Sequence, residues 1–123
     1  TRTWAMECAR MNVTVNAVLP MALTQMVASI PGMEAHVAAA RRGESLPPEV
    51  RMGMGMGLPQ EVAPLFVFLA SAQAQHITGQ CVGLGGDKLA LWSHPEEVKV
   101  AYQQGGWQAD DIASVWGGVF GAS

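Results

Sequence analysis

A chain of 123 residues, half of them apolar, has the length of one ordinary domain and enough apolar side chains to bury a core. Its formal charge of −3, with only seven Lys and Arg and no basic run longer than the pair Arg41 and Arg42, offers no electrostatic footprint for nucleic acid or an anionic membrane. No apolar stretch reaches the roughly 18 residues of a membrane span, and Cys8 and Cys81 stand far apart without metal or disulfide spacing, so a soluble, reducing, cytoplasmic setting is expected.

Thr1 to Met11 predicts a helix, with Trp4, Cys8 and Met11 at i, i+4 and i+7 on one face. Asn12 tolerates the left-handed geometry that ends such a helix. Val13 to Leu19 then predicts a strand, apolar at nearly every position except Thr14 and Asn16, as in parallel sheets covered on both faces, and Pro20 stops it. Asn16 reads as a structural group bonding backbone between neighbouring strands. Between Thr24 and Gly57 one helix is expected, Met33 to Arg42. The run GESLPPEVRMGMGMG follows it, and its proline pair and alternating glycines predict a long loop without regular structure. With Met52, Met54 and Met56 that loop reads either as an adaptable apolar lid or as a disordered connector.

A second unit repeats the plan. Pro59 suits the first turn of a helix reaching about Ala72, with a mild kink at Pro64, and Gln80 to Leu84 predicts a short strand closed by Gly85 and Gly86. DKLALWS predicts one more strand. In SHPE, Ser93 and Glu96 are spaced as a capping box for a helix over Pro95 to Gln104, and Asp110 and Asp111 open a last helix to about Trp116. Helix, strand, helix, strand describes half of an α/β sheet with right-handed crossovers.

Motifs that carry chemistry are few. Gly53, Gly55 and Gly57 precede no strand, and Gly83, Gly85 and Gly86 lack the spacing of a phosphate-binding turn. No GxSxG elbow exists, His36, His76 and His94 have no nucleophile at a suggestive spacing, and Asp110 and Asp111 complement a helix dipole. No metal site and no catalytic residue emerge.

The combination of segments is more informative. ECARMNVTVNAVLPMALTQM resembles the part of short-chain dehydrogenases/reductases that follows the active-site helix, and LPQEVAPLFVFLASAQAQHITGQCVGLGGD is similar to that family's final helix and last core strand. The resemblance implies an α/β fold: residues 1–87 as the carboxyl-terminal portion of a Rossmann-type doubly wound parallel sheet, with two adjacent parallel strands and flanking helices. Residues 24–57 would be its substrate or lid loop, and 88–123 a mostly helical extension. It further implies NAD or NADP as cofactor, a small-molecule substrate and a homo-oligomer, dimer or tetramer, while the charge and the absence of a long apolar stretch argue against a nucleic acid or membrane partner. Pro20, Met21 and Thr24 match the family's nicotinamide-contacting loop, with Leu23 adding backbone contacts; Met21 replaces the usual glycine, and Thr24 stands one residue early.

The family's proton relay pairs a tyrosine with a lysine four residues on, whereas Tyr102 is followed at that distance by Gly106, and Lys88 and Lys99 lie elsewhere. The tail from Gly85 to Trp116 resembles the extension of a branch that includes the dehydrogenase part of multifunctional β-oxidation proteins, whose substrates are acyl thioesters or sterol-like molecules. Two readings follow. One is the carboxyl-terminal segment of an NAD(P)-dependent oxidoreductase acting on a carbonyl or alcohol, providing nicotinamide wall, substrate lid and dimer surface. The other is a non-catalytic fragment acting only in association, with Trp4, Cys8 and Met11 as its adhesive face.

Overall fold

The helix at the start forms as its spacing predicts. In a computed structural model, which describes residues 1–121, α1 spans Arg2–Cys8 and tightens into a 3-10 turn over Ala9–Met11. Asn12 ends it in the left-handed region at φ 57°. Ala5 is the residue that α1 buries, while Trp4 and Met11 stay about two-thirds exposed at 67% and 68%.

Strand β1 covers Ala17–Pro20, shorter than the expected Val13 to Leu19. The reason lies in its partner. The Val15 N–H donates to the Thr78 hydroxyl at 3.0 Å, and the Gly79 N–H donates to the Val15 carbonyl at 2.8 Å, so a side chain replaces a backbone rung there. Asn16 completes the splice: its amide donates to the Ile77 carbonyl at 2.9 Å and its carbonyl accepts from Gln80 N–H at 3.1 Å, the structural role expected of it. The regular ladder begins at Ala17.

Strand β2, Cys81–Gly85, pairs parallel with β1 in the register Val18 to Val82, and β3, Lys88–Trp92, pairs antiparallel with β2, giving the order β1-β2-β3. The β2–β3 turn places Gly86 at its first central position with φ 53°, a conformation that two-residue hairpins require and that glycine adopts without strain. The fold class is therefore the expected α/β pair of parallel strands with flanking helices, with an antiparallel third strand at the edge.

Helix α2 spans Glu34–Arg41 and α3 spans Ala63–Leu69, the latter preceded by a 3-10 turn over Pro59–Val62. Pro64 lies in the first turn of α3, which begins at Ala63, and its missing N–H has no intrahelical partner to lose there, so the proline sits at the helix start instead of kinking its interior.

The segment between the two units is more ordered than a free loop. Leu23, Met33, Val37 and Val50 form the buried cluster, with Val27, Ala28, Ala40, Leu46 and Met56 packed around it. Glu49–Gly53 makes a wide π-type turn that drives Val50 into this core at 1% exposure. The proline pair separates this turn from α2 but does not prevent it from forming.

Contacts divide the chain at Ser93 into two compact units, Thr1–Ser93 and His94–Ser123. In the second, α4 spans Ala109–Val115 and runs into a π-type turn over Trp116–Phe120. The helix expected over Pro95 to Gln104 does not form, nor does its capping box at Ser93. An isolated helix of that length needs an apolar face buried on something, and Val98 and Tyr102, at 83% and 91% exposure, bury almost none. Regular structure in the extension is β3, which belongs to the first unit, and the α4 region.

Candidate functional site at the carboxyl rim of the parallel pair

Both parallel strands end at one rim. Past Pro20 the chain continues along β2 by a bond from Met21 N–H to the Leu84 carbonyl at 3.0 Å, then bridges Ala22 to Gly57, and Leu23 N–H donates to the Gly57 carbonyl at 2.9 Å. The alternating glycines of the methionine-rich run permit this close approach. A Cβ at Gly57 would meet the Gly86 backbone at 2.7 Å, and one at Gly85 would overlap the Gly55 carbonyl oxygen. The run is thus interlocked with the end of β2.

A charged clamp fixes the same place. The Arg51 guanidinium donates to Glu61 at 2.9 Å and to Asp87 at 2.7 Å, and Glu61 also accepts the Leu58 N–H at 2.5 Å. The Asp87 N–H returns to the Arg51 carbonyl at 3.0 Å. Hydrogen bonding to Glu61 and then Asp87 raises the Arg51 pKa above its ordinary value, while the Arg51 guanidinium and then the Leu58 N–H lower that of Glu61. Sequence reasoning misses these three residues. Glu61, three residues after Leu58 and two after Pro59, carries the one usable signal, an acidic N3 position at a helix start. Nothing local links Arg51 to Asp87.

The four residues expected to meet a nicotinamide separate into two environments. Pro20 and Met21 sit exposed at the rim, and Met21 lines a cleft of about 110 Å³ with Leu19, Met54, Gly83, Lys88 and Trp92. Leu23 is 4% exposed, its side chain in the core and its N–H already bonded. Thr24 opens on a different cavity of about 400 Å³, bordered by Gln25, Ala40, Arg41 and Leu58. Its carbonyl accepts from Val27 and Ala28, and its exposed hydroxyl has no hydrogen-bond partner among the described residues. Ligand pockets run to about 300–1,000 Å³, so the Met21 cleft is one wall of a site and the Thr24 cavity has the size of a whole one. No group of His, Cys, Asp and Glu able to hold a metal occurs among the described residues, and no helix there is long and apolar enough to cross a membrane.

The family model described as Enoyl-(Acyl carrier protein) reductase matches residues 1–86. The chain belongs to the short-chain dehydrogenase/reductase family. Among this family's members it is 37% identical over 87 residues to 3-oxoacyl-(acyl-carrier-protein) reductase FabG of Thermotoga maritima, covering 70% of this chain and 32% of that protein. It is 36% identical over 90 residues to acetoacetyl-CoA reductase of Shinella zoogloeoides, covering 72% and 34% respectively. A short-chain dehydrogenase from Mycobacterium avium superposes with a TM-score of 0.65 at 22% identity, over all of this chain and 33% of its own length, a likeness of fold. This short-chain dehydrogenase/reductase chain therefore spans about a third of the length of the relatives it matches.

Proposed function

We propose that this chain is the carboxyl-terminal segment of an NAD- or NADP-dependent oxidoreductase acting on a carbonyl or alcohol carbon, and that it provides a nicotinamide wall, a substrate lid and part of a subunit interface. The parallel β1–β2 pair carries the reading, because ligands of doubly wound sheets bind beyond the carboxyl ends of the strands, where residues 20–24 leave β1. When bound, the nicotinamide supplies or accepts hydride. Thr24, with its uncommitted hydroxyl, is the residue of this segment that bonds the cofactor. Pro20 fixes the direction in which the chain leaves the strand, and Met21 presents an apolar side chain that excludes water. Leu23 contributes by holding the loop in the core. The names of the two reductases above favour an acyl thioester as substrate. Residues 1–87 act as the Rossmann portion and 88–123 as an extension to it, in a cytoplasmic enzyme.

Within these 123 residues no tyrosine stands four positions before a lysine, so proton transfer falls to groups outside them. A purely associative role is the second reading, favoured by Trp4, Met6 and Met11, which α1 and its turn hold exposed. Titrating NADH and NADPH into the complete gene product separates the two. The enzyme reading expects saturable binding that Thr24→Val weakens about three- to tenfold, the worth of one hydrogen bond. Absence of nucleotide binding by the complete product selects the associative role.

A further inference from the structure

Along β3 every second residue faces one side of the sheet, so Lys88, Ala90 and Trp92 share a face and Leu89 and Leu91 take the other. The register carries that face across the sheet: Ala90 pairs with Gly83 and Lys88 with Gly85 on β2, and Gly83 pairs with Leu19 on β1. The middle of this row is therefore almost bare of side chains. Gly83, Gly85 and Ala90 floor a trough whose walls are Leu19 and Met21 on one side and Lys88 and Trp92 on the other, with Met54 from the methionine-rich run. At both glycines a neighbour already stands where a side chain would begin, because a Cβ at Gly83 would meet Trp92 Nε1 at 3.1 Å and one at Gly85 would overlap Met21.

The polar side-chain groups of the trough are of one kind. Lys88 is the ionisable residue that lines it, with its stem resting on Gly55, where a Cβ would meet the Lys88 Cδ at 2.9 Å. Asp87, its neighbour in sequence, is held by Arg51 at 2.7 Å. Among the described residues neither the Lys88 ammonium nor the Trp92 indole N–H has a hydrogen-bond or ion-pair partner. Both groups donate and neither accepts. An apolar trough with two open donors and no acceptor side chain suits an alkyl chain that ends in a carboxylate, and it disfavours a cation. At about 110 Å³ the trough is smaller than the roughly 300 Å³ at which pockets for whole ligands begin, so the chain it admits is short.

We propose that this trough is a binding site for a short-chain carboxylate, with the Lys88 ammonium and the Trp92 N–H on the carboxylate and Leu19, Met21 and Met54 around the alkyl chain. The site needs no nucleotide, and it stands apart from the Thr24 cavity on which the oxidoreductase reading relies. The probe is butyrate, titrated into the complete gene product at constant ionic strength and followed by the relaxation of its own NMR signals. Saturable binding in the low-millimolar range is expected, the range open to so small a ligand. Acetate, two methylenes shorter, should bind about tenfold more weakly, and butyramide, of the same length without the charge, about five- to tenfold more weakly. Lys88→Gln should weaken butyrate by about five- to tenfold, whereas Arg10→Gln, which removes a like charge from the turn after α1, should leave it unchanged. Ala90→Leu should fill the floor and abolish binding. Lys88 is exposed, so Lys88→Gln should melt with the parent and carries the test even where Ala90→Leu disturbs the sheet. Any of three results would overturn the proposal: no saturable binding by the parent, butyramide binding as tightly as butyrate, or a Lys88→Gln variant that loses no more affinity than Arg10→Gln. Nucleotide titration of the same samples reports on the oxidoreductase reading separately.

Discussion

A methyl group added at Gly85 would overlap the carbonyl oxygens of Gly55 and Met21, both backbone atoms that cannot swing away. Gly85→Ala is therefore expected to destabilise the complete gene product by about 1–3 kcal/mol, as overpacking against rigid neighbours does. Gly117→Ala, with nothing within 4 Å of the added carbon, should stay within about 0.5 kcal/mol, and paired denaturant melts measure the contrast. Glu61 gives the pH dependence. Its pKa is lowered in the folded chain, so its contribution is fully present above the ordinary value of 4.5 and is lost as pH falls through the depressed folded value. Glu61→Gln should thus be less stable than the parent at neutral pH, with the gap closing below about pH 4.5 in acid melts. At this scale Asn12 was legible because it acts on the end of its own helix, and Asn16 because an amide inside an apolar strand has the backbone of a neighbouring strand to bond, even though Ile77 and Gln80 lie 61 and 64 residues away. The Arg51 clamp was not, since charge alone does not say which acidic residues an arginine meets.

Elements were legible where periodicity and punctuation agreed, as at α1, β2 and β3. Their bounds moved where tertiary bonds took over. Residues 13–16 look like strand by composition, yet Thr78 and Asn16 side chains carry the bonds that a ladder would otherwise make. Thr78→Val keeps the shape and removes the acceptor for Val15 N–H, so it should cost about 1–2 kcal/mol by chemical denaturation, while Thr14→Val should be near neutral. Equal effects from the two would mean that shape, not the hydroxyl, joins the segments. The opposite happens at Pro95 to Gln104, where a good capping pattern does not overcome the lack of a surface to bury Val98. The rim was legible in outline, as a strand exit with a bend at Pro20. That Thr24 and Met21 open onto different cavities depends on Gly57 meeting Ala22, a contact between segments 35 residues apart in sequence.

For the whole chain the accessible surface is 9020 Å². Two separate folded bodies with the lengths of the two units would together expose roughly 7,400 Å² by the usual scaling with mass. Large apolar side chains contribute to this surface: Trp4, Met6 and Met11 near α1, Phe66 and Val67 on α3, and Leu89 and Leu91 on β3 are each more than half exposed. Surface of this kind is covered in a stable protein, and the relatives, of which this chain spans about a third, have the further residues to cover it. Three strands reach the minimum for an independent sheet, yet among the described residues the buried apolar set holds no aromatic side chain, and only Val50 and Ala74 in it are below 2% exposed. Expressed by itself, the 123-residue chain should therefore melt without a sharp cooperative transition and bind a hydrophobic dye, and calorimetry with NADH or NADPH should detect no saturable heat. The complete gene product should show both a sharp melt and nucleotide binding. A cooperative transition together with micromolar nucleotide affinity in the isolated chain would show instead that the rim from Pro20 to Thr24 is a self-sufficient site.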